Sequence, residues 1–157
     1  MKKVCGYFGV LVIGLVLAGG LTASATTPAA APRVVKLSAD DTMKYDMTMI
    51  EAKPGEMLEV QLTSKGTLPK EAMAHNFVLL AKKADPNAFV MEAAMAKATA
   101  YIPAKYKADI IASTSLAGPG ETVKVAFAAP KVAGSYTYLC SFAGHFLVGM
   151  KGTLLVK

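Results

Sequence analysis

Three residues near the C-terminus carry side chains that bind soft metal ions: Cys140, His145 and Met150, in the spacing Cys-x4-His-x4-Met. A further imidazole, His75, lies in Met73-Ala74-His75-Asn76-Phe77, and the chain has only 2 histidines. Two imidazoles and one thiolate in a trigonal plane, with a long axial thioether, form the ligand set of a type 1 (blue) copper ion. Soft sulfur favours Cu(I), imidazole accepts either oxidation state, and a nearly trigonal site suits neither state fully. Little therefore has to move when an electron arrives or leaves. Taken singly the residues say less: His75 alone reads as a structural histidine and Met150 as core filler. The joint set is what is diagnostic. Two other uses of the same ligands stay open at this level. One is a protein that binds and delivers Cu(I) without electron transfer; the other is a zinc site, since zinc also accepts Cys and His.

These residues need a frame. Segments with period-two alternation recur along the chain: Met43–Met49, Leu58–Leu62, Val123–Phe127 and Tyr136–Cys140. That period places one set of side chains on the core face of a strand. Short apolar runs at Val34–Leu37, Phe77–Leu80 and Thr153–Val156 are also strand-like. Gly/Pro turns separate them at Lys53-Pro54-Gly55, Ser64-Lys65-Gly66, Gly118-Pro119-Gly120 and Ala133-Gly134-Ser135. Many short strands with such turns predict an all-β sandwich or barrel. One stretch differs. Asp85-Pro86 opens an Ala/Met-rich segment, the N-cap and first-turn signature of a helix. It predicts one helical insertion from about Pro86 to Thr99, with a further turn near Ala104–Lys107. The alternating methionines Met43, Met47 and Met49, and Met57, are read as flexible core filler on strands rather than as a second copper site. Glu92 and Asp109 lack a second carboxylate at catalytic spacing and are placed on solvated faces.

The N-terminus reads as an export signal. Lys2 and Lys3 precede an apolar run to Leu17, and Ala23-Ser24-Ala25 follows. A basic n-region, an apolar h-region and a small-residue cleavage site predict a secretory signal over residues 1–25, cut after Ala25. The alternative is an uncleaved segment anchoring the protein to the outer face of the membrane, although the run is short for a spanning helix. Residues 26–32 read as a flexible leader and residues 33–157 as the single domain. Loss of Lys2 and Lys3 lowers the net charge from +6 to +4, too weak and scattered to indicate a nucleic-acid partner. Of the 2 cysteines, Cys5 leaves with the signal, so an exported form holds Cys140 alone. A lone thiol in an oxidising compartment is a liability unless something uses it.

The stretch Cys140-Ser141-Phe142-Ala143-Gly144-His145-Phe146-Leu147-Val148-Gly149-Met150-Lys151-Gly152-Thr153 resembles the copper loop of the azurin and auracyanin group of cupredoxins. Leu68 to Leu79, around His75, resembles that group's first-histidine segment. The resemblance implies a Greek-key β-sandwich with one type 1 copper per chain, held by His75, Cys140, His145 and Met150. It implies a one-electron carrier, not an enzyme, working between redox partners such as cytochromes in the periplasm. It also implies that Asn76 braces the copper loop and that the Phe142 amide donates to the thiolate sulfur. Phe142, Phe146, Leu147, Ala72 and Met73 flank the expected ligands and are read as an apolar docking patch around the edge of His145. Three departures stand out. The His-to-Met gap is one residue longer than in azurins and matches auracyanin. Ala74 stands where azurins usually have glycine, whose carbonyl approaches copper. The cysteines for the disulfide common in azurins are missing.

Overall fold

The structure is a computed structural model that describes residues 1–3 and 31–157. Most of the expected signal and most of the leader therefore lie outside the described residues. Among those described, no helix is long and apolar enough to cross a membrane.

The domain is built from eight strands, β1 (Arg33–Ala39), β2 (Met49–Ala52), β3 (Met57–Ser64), β4 (Val78–Leu80), β5 (Ile110–Ser113), β6 (Thr122–Ala128), β7 (Gly134–Leu139) and β8 (Lys151–Val156), and one helix, α1 (Pro86–Met95). They form two sheets, ordered β1-β3-β6 and β2-β8-β7-β4-β5. β1 runs parallel to β3 and β2 parallel to β8, while the other pairings are antiparallel. This is the Greek-key β-sandwich expected of a cupredoxin.

Alternation decides which side chains meet between the sheets. In β3, Leu58, Val60 and Leu62 are fully buried while Glu59, Gln61 and Thr63 face outward. Tyr136, Tyr138 and Leu154 do the same from the second sheet. Phe77 joins the layers, with its ring 6.2 Å from Phe127 on one sheet and 5.2 Å from Tyr138 on the other.

The sequence-based strand at Met43–Met49 is corrected. Met43 adopts φ +56°, which breaks an extended run. The chain doubles back on the end of β1: Asp46 accepts from the Ser38 amide and hydroxyl, both at 2.7 Å. Tyr45 bridges Ala39. Only at Met49 does β2 begin, and its buried face is Ile50 and Ala52. A one-residue change of face sends every side chain to the other side. Met47 and Met49 are accordingly exposed, as is Met57, so the core-filler reading fails for these three; Met43 alone packs against the core.

Helix α1 starts as expected, with the Asp85 carboxylate accepting from the Asn87 amide at 2.9 Å. It ends at Met95, four residues before the expected end, where the chain tightens into a 3-10 turn over Lys97–Thr99. Ala104–Asp109 forms a second 3-10 segment where a turn was expected. Glu92 and Asp109 are ion-paired at the surface with Lys105 and Lys83, as solvated residues.

Gly152, in β8, has no room for a side chain. A Cβ there would run into the Tyr138 ring and stand 2.7 Å from the Thr48 carbonyl oxygen. Gly152→Ala is expected to lower unfolding stability by about 1–3 kcal/mol, the usual cost of overpacking. Urea unfolding monitored by circular dichroism checks this.

Candidate metal centre

Two segments at one end of the sandwich bring the donors together. His75 sits just ahead of β4 and is pinned by its own backbone: its N–H donates to the Ala117 carbonyl at 3.0 Å and its carbonyl accepts from the Ala117 amide at 2.7 Å. Cys140 follows the last residue of β7, and Met150 precedes the first of β8. The hairpin between them is closed at its base by the Cys140 amide donating to the Met150 carbonyl at 3.2 Å. Inside it, the His145 amide donates to the Phe142 carbonyl at 3.1 Å and the Met150 amide to the His145 carbonyl at 3.0 Å. The turn before His145 requires a left-handed residue, supplied by Gly144 at φ +85°.

The donor atoms of His75, Cys140 and His145 all lie within 4.8 Å of one another. His145 Nδ1 is 3.4 Å from Cys140 Sγ, so this is the nitrogen that shares the sulfur's pocket. The two imidazole rings lie 5.1 Å apart. All three residues are buried, His75 and Cys140 completely. Both ring nitrogens of His75 are buried without a hydrogen-bond partner. A buried polar atom left unpaired costs about 1–3 kcal/mol, and a metal ion bound at one of the two nitrogens would relieve it there. Met150 is also fully buried at the loop's end. The donor set, one soft sulfur and two imidazoles, fits copper.

Asn76 locks the two segments together. Its Nδ2 donates to Ser141 Oγ at 2.8 Å, and its Oδ1 accepts from the Ser141 amide at 2.8 Å. The bracing role implied by the resemblance is thus visible in two bonds. The Tyr45 hydroxyl donates to the Asn76 carbonyl, a support with no sequence signal. The Ala74 carbonyl oxygen is 4.0 Å from Cys140 Sγ, so it borders the pocket although glycine is absent.

Burial sets the charge states. It pushes the Cys140 thiol up to about 12, against the backbone amides of Asn76 and Phe142, which favour thiolate. His145 is driven down to about 4, first by burial and then by the neighbouring His75. His75 is lowered by burial, opposed by Asp41 and Asp40. Near neutral pH the pocket thus holds a thiol and two neutral imidazoles. A cation entering it must displace the thiol proton, and uptake releases that proton to solvent.

The same shifts fix a pH dependence for the copper-free protein. A histidine whose folded value lies below its unfolded one leaves the unfolded chain with more bound protons in between. Stability is therefore present above pH 6.5 and lost as pH falls toward 4. For His145 the loss reaches about 3 kcal/mol, at about 1.4 kcal/mol per pH unit. Thermal midpoints of copper-free protein between pH 7.5 and 4 are expected to fall along this window.

The expected docking patch needs correction. Phe142 and Phe146 are buried, at 8% and 7% exposure, with Lys151 Nζ 4.7 Å from the Phe146 ring centre. The phenylalanines are core, packed under the loop. Of the residues expected in the patch, Leu147 is 68% exposed, Ala72 is exposed and Met73 is half-buried; Val148, at 48%, and Leu68, at 45%, are further exposed apolar side chains on the same two segments.

A sequence profile for copper-binding proteins of the plastocyanin/azurin family matches residues 33–157. Azurin-1 of Alcaligenes xylosoxydans xylosoxydans is 37% identical, over 76% of this chain and 94% of that protein. Auracyanin-B of Chloroflexus aurantiacus is 32% identical over 88% of this chain, which spans only 57% of that protein. Among solved structures, auracyanin A, a "blue" copper protein of Chloroflexus aurantiacus, superposes with a TM-score of 0.70 at 28% identity, covering 81% of this chain and all of the other.

Proposed function

This chain belongs to the plastocyanin/azurin family of copper-binding proteins, and from that premise we propose that it carries single electrons between redox partners outside the cytoplasm. His75 and His145 would supply nitrogen, Cys140 thiolate and Met150 a thioether to one copper ion. The observation that carries this reading is the convergence of three buried donor atoms, one each from His75, Cys140 and His145, to within 4.8 Å of one another. When bound, the ion supplies a one-electron redox couple. The chain's own part is to hold the ligands still and dry. The backbone bonds between His75 and Ala117, the two bonds of Asn76 to Ser141 and the hairpin closure at Met150 leave the donors little freedom. Ligands fixed from rigid strands give the precision such a site needs.

Export is supported by the basic and apolar N-terminal run and by the single cysteine of the domain. Redox partners such as cytochromes meet the loop end at Leu147 and Val148, on the same short loop as His145. Small interfaces of this kind suit encounters that must release quickly. Electron self-exchange between reduced and oxidised protein, measured by NMR line broadening, tests the carrier role. We expect Leu147→Asp to slow exchange about tenfold or more, because two copies would bring like charges together. Wild-type protein that binds copper but does not exchange electrons would contradict the carrier role.

A further inference from the structure

The His145 ring is packed in a column of aromatic rings. Its centre lies 4.7 Å from that of Phe142, with the planes 37° apart. Phe142 lies 4.7 Å from Tyr101, at 48°. Tyr101, Phe142 and His145 are 6%, 8% and 2% exposed. Among the described residues, the polar contact of the His145 ring is that of Nδ1 with Cys140 Sγ. Ligand imidazoles are ordinarily oriented by a hydrogen bond to the second ring nitrogen. Here packing against Phe142 also bears on the ring plane.

Tyr101 reaches this column from the turn that follows α1, and the backbone there is unusual. Ala100 and Tyr101 adopt φ +54° and +62° in succession, a region that residues with a side chain rarely occupy. Such strain persists where surrounding contacts over-determine it. The contacts are present. The Tyr101 amide donates to the Ala96 carbonyl at 2.9 Å and the Ala100 amide to Lys97 at 3.1 Å. The Thr99 hydroxyl lies 3.0 Å from the Ala96 carbonyl oxygen and 2.8 Å from that of Ile102. What this turn delivers is one ring against Phe142.

We propose that Tyr101 is a positioning residue for the copper loop: through Phe142 it fixes the plane of the His145 ring, keeping Nδ1 turned toward Cys140 Sγ. The inference rests on the reading that Cys140 and His145 bind copper. Phe142 couples to His145 twice, by ring packing and by the carbonyl that accepts the His145 amide. A shift of Phe142 into space vacated by Tyr101 carries His145 with it.

The test compares wild type, Tyr101→Leu and Tyr101→Phe. Cu(II) affinity is measured by competition with a chelator of known affinity, and the visible and electron paramagnetic resonance spectra are recorded on the same samples. Tyr101→Leu is expected to weaken Cu(II) binding about 10-fold or more, the size of effect that groups orienting a ligand have, and to shift both spectra. Tyr101→Phe, which keeps the ring, is expected to match wild type. Tyr101→Leu with wild-type affinity and spectra overturns the proposal, as does a Phe variant no better than Leu. If Tyr101→Leu does not fold, Thr99→Val decides: it keeps the ring but loosens its turn, and wild-type affinity and spectra there overturn the proposal. Wild-type protein that takes up no copper removes the underlying reading as well. A copper-binding wild type beside an indifferent Tyr101→Leu removes this inference alone.

Discussion

Cys140→Ser is expected to abolish the intense visible absorption of the copper-loaded protein and to lower copper affinity at least about 100-fold. Partners outside the ligand shell are worth about 10–100-fold in metal affinity, and the ligand itself cannot be worth less. The sulfur is the one soft anionic donor in the pocket, and a serine hydroxyl at the same place neither ionises readily nor favours Cu(I). The exchange removes one sulfur and leaves a smaller oxygen, so the fold tolerates it: Cys140 is buried and makes its structural contact through the backbone bond to Met150. Loss of colour with an unchanged circular dichroism spectrum is the outcome expected. Visible absorption of the variant after addition of Cu(II) reads the first half, and equilibrium dialysis the second.

Phe77→Ala is expected to cost the copper-free protein about 3–5 kcal/mol, the usual range for deleting a buried phenylalanine. That is a large part of the 5–15 kcal/mol a domain has in total. Phe77 is fully buried, and its ring is the contact between Phe127 on one sheet and Tyr138 on the other. Its backbone is tied as well, the amide donating to Thr114 Oγ1 at 3.0 Å. Because His75 lies two residues away, the cavity also loosens the first ligand. The measurement is denaturant unfolding without copper. Bound metal would add its own stabilisation and mask part of the loss.

The candidate copper site was more legible in the sequence than the sheet that carries it, and the reason is chemical. Thiolate, imidazole and thioether have few other reasons to occur at this spacing, so Cys140, His145, Met150 and the second histidine could be singled out as candidates, and the structure gathers the donor atoms of His75, Cys140 and His145 within 4.8 Å of one another. Strands are written in a weaker code. β3 and β7 showed clean alternation because one face of each is buried. The run from Met43 to Met49 alternates equally well and is no strand, because methionine is apolar enough to look like core and flexible enough to lie in solvent. The true buried face of β2 is Ile50 and Ala52, one step out of phase. β5 gave no signal: Ile110–Ser113 is four residues long and follows directly on a 3-10 segment. Phe142 and Phe146 illustrate a second limit. An aromatic beside a metal ligand serves equally well as a docking surface or as the packing beneath it, and only tertiary context decides. Tyr101 lay beyond any sequence argument, since nothing local says that a turn after α1 will reach the copper loop.

We propose that one copper ion is held by His75, Cys140 and His145. This is tested most directly by titrating the copper-free protein with Cu(II) while following visible absorption. The expected result is an intense band that rises linearly, saturates at one equivalent, bleaches on addition of one electron per chain and returns on oxidation. A protein that stays colourless with Cu(II) and takes up only Cu(I) or zinc would contradict it.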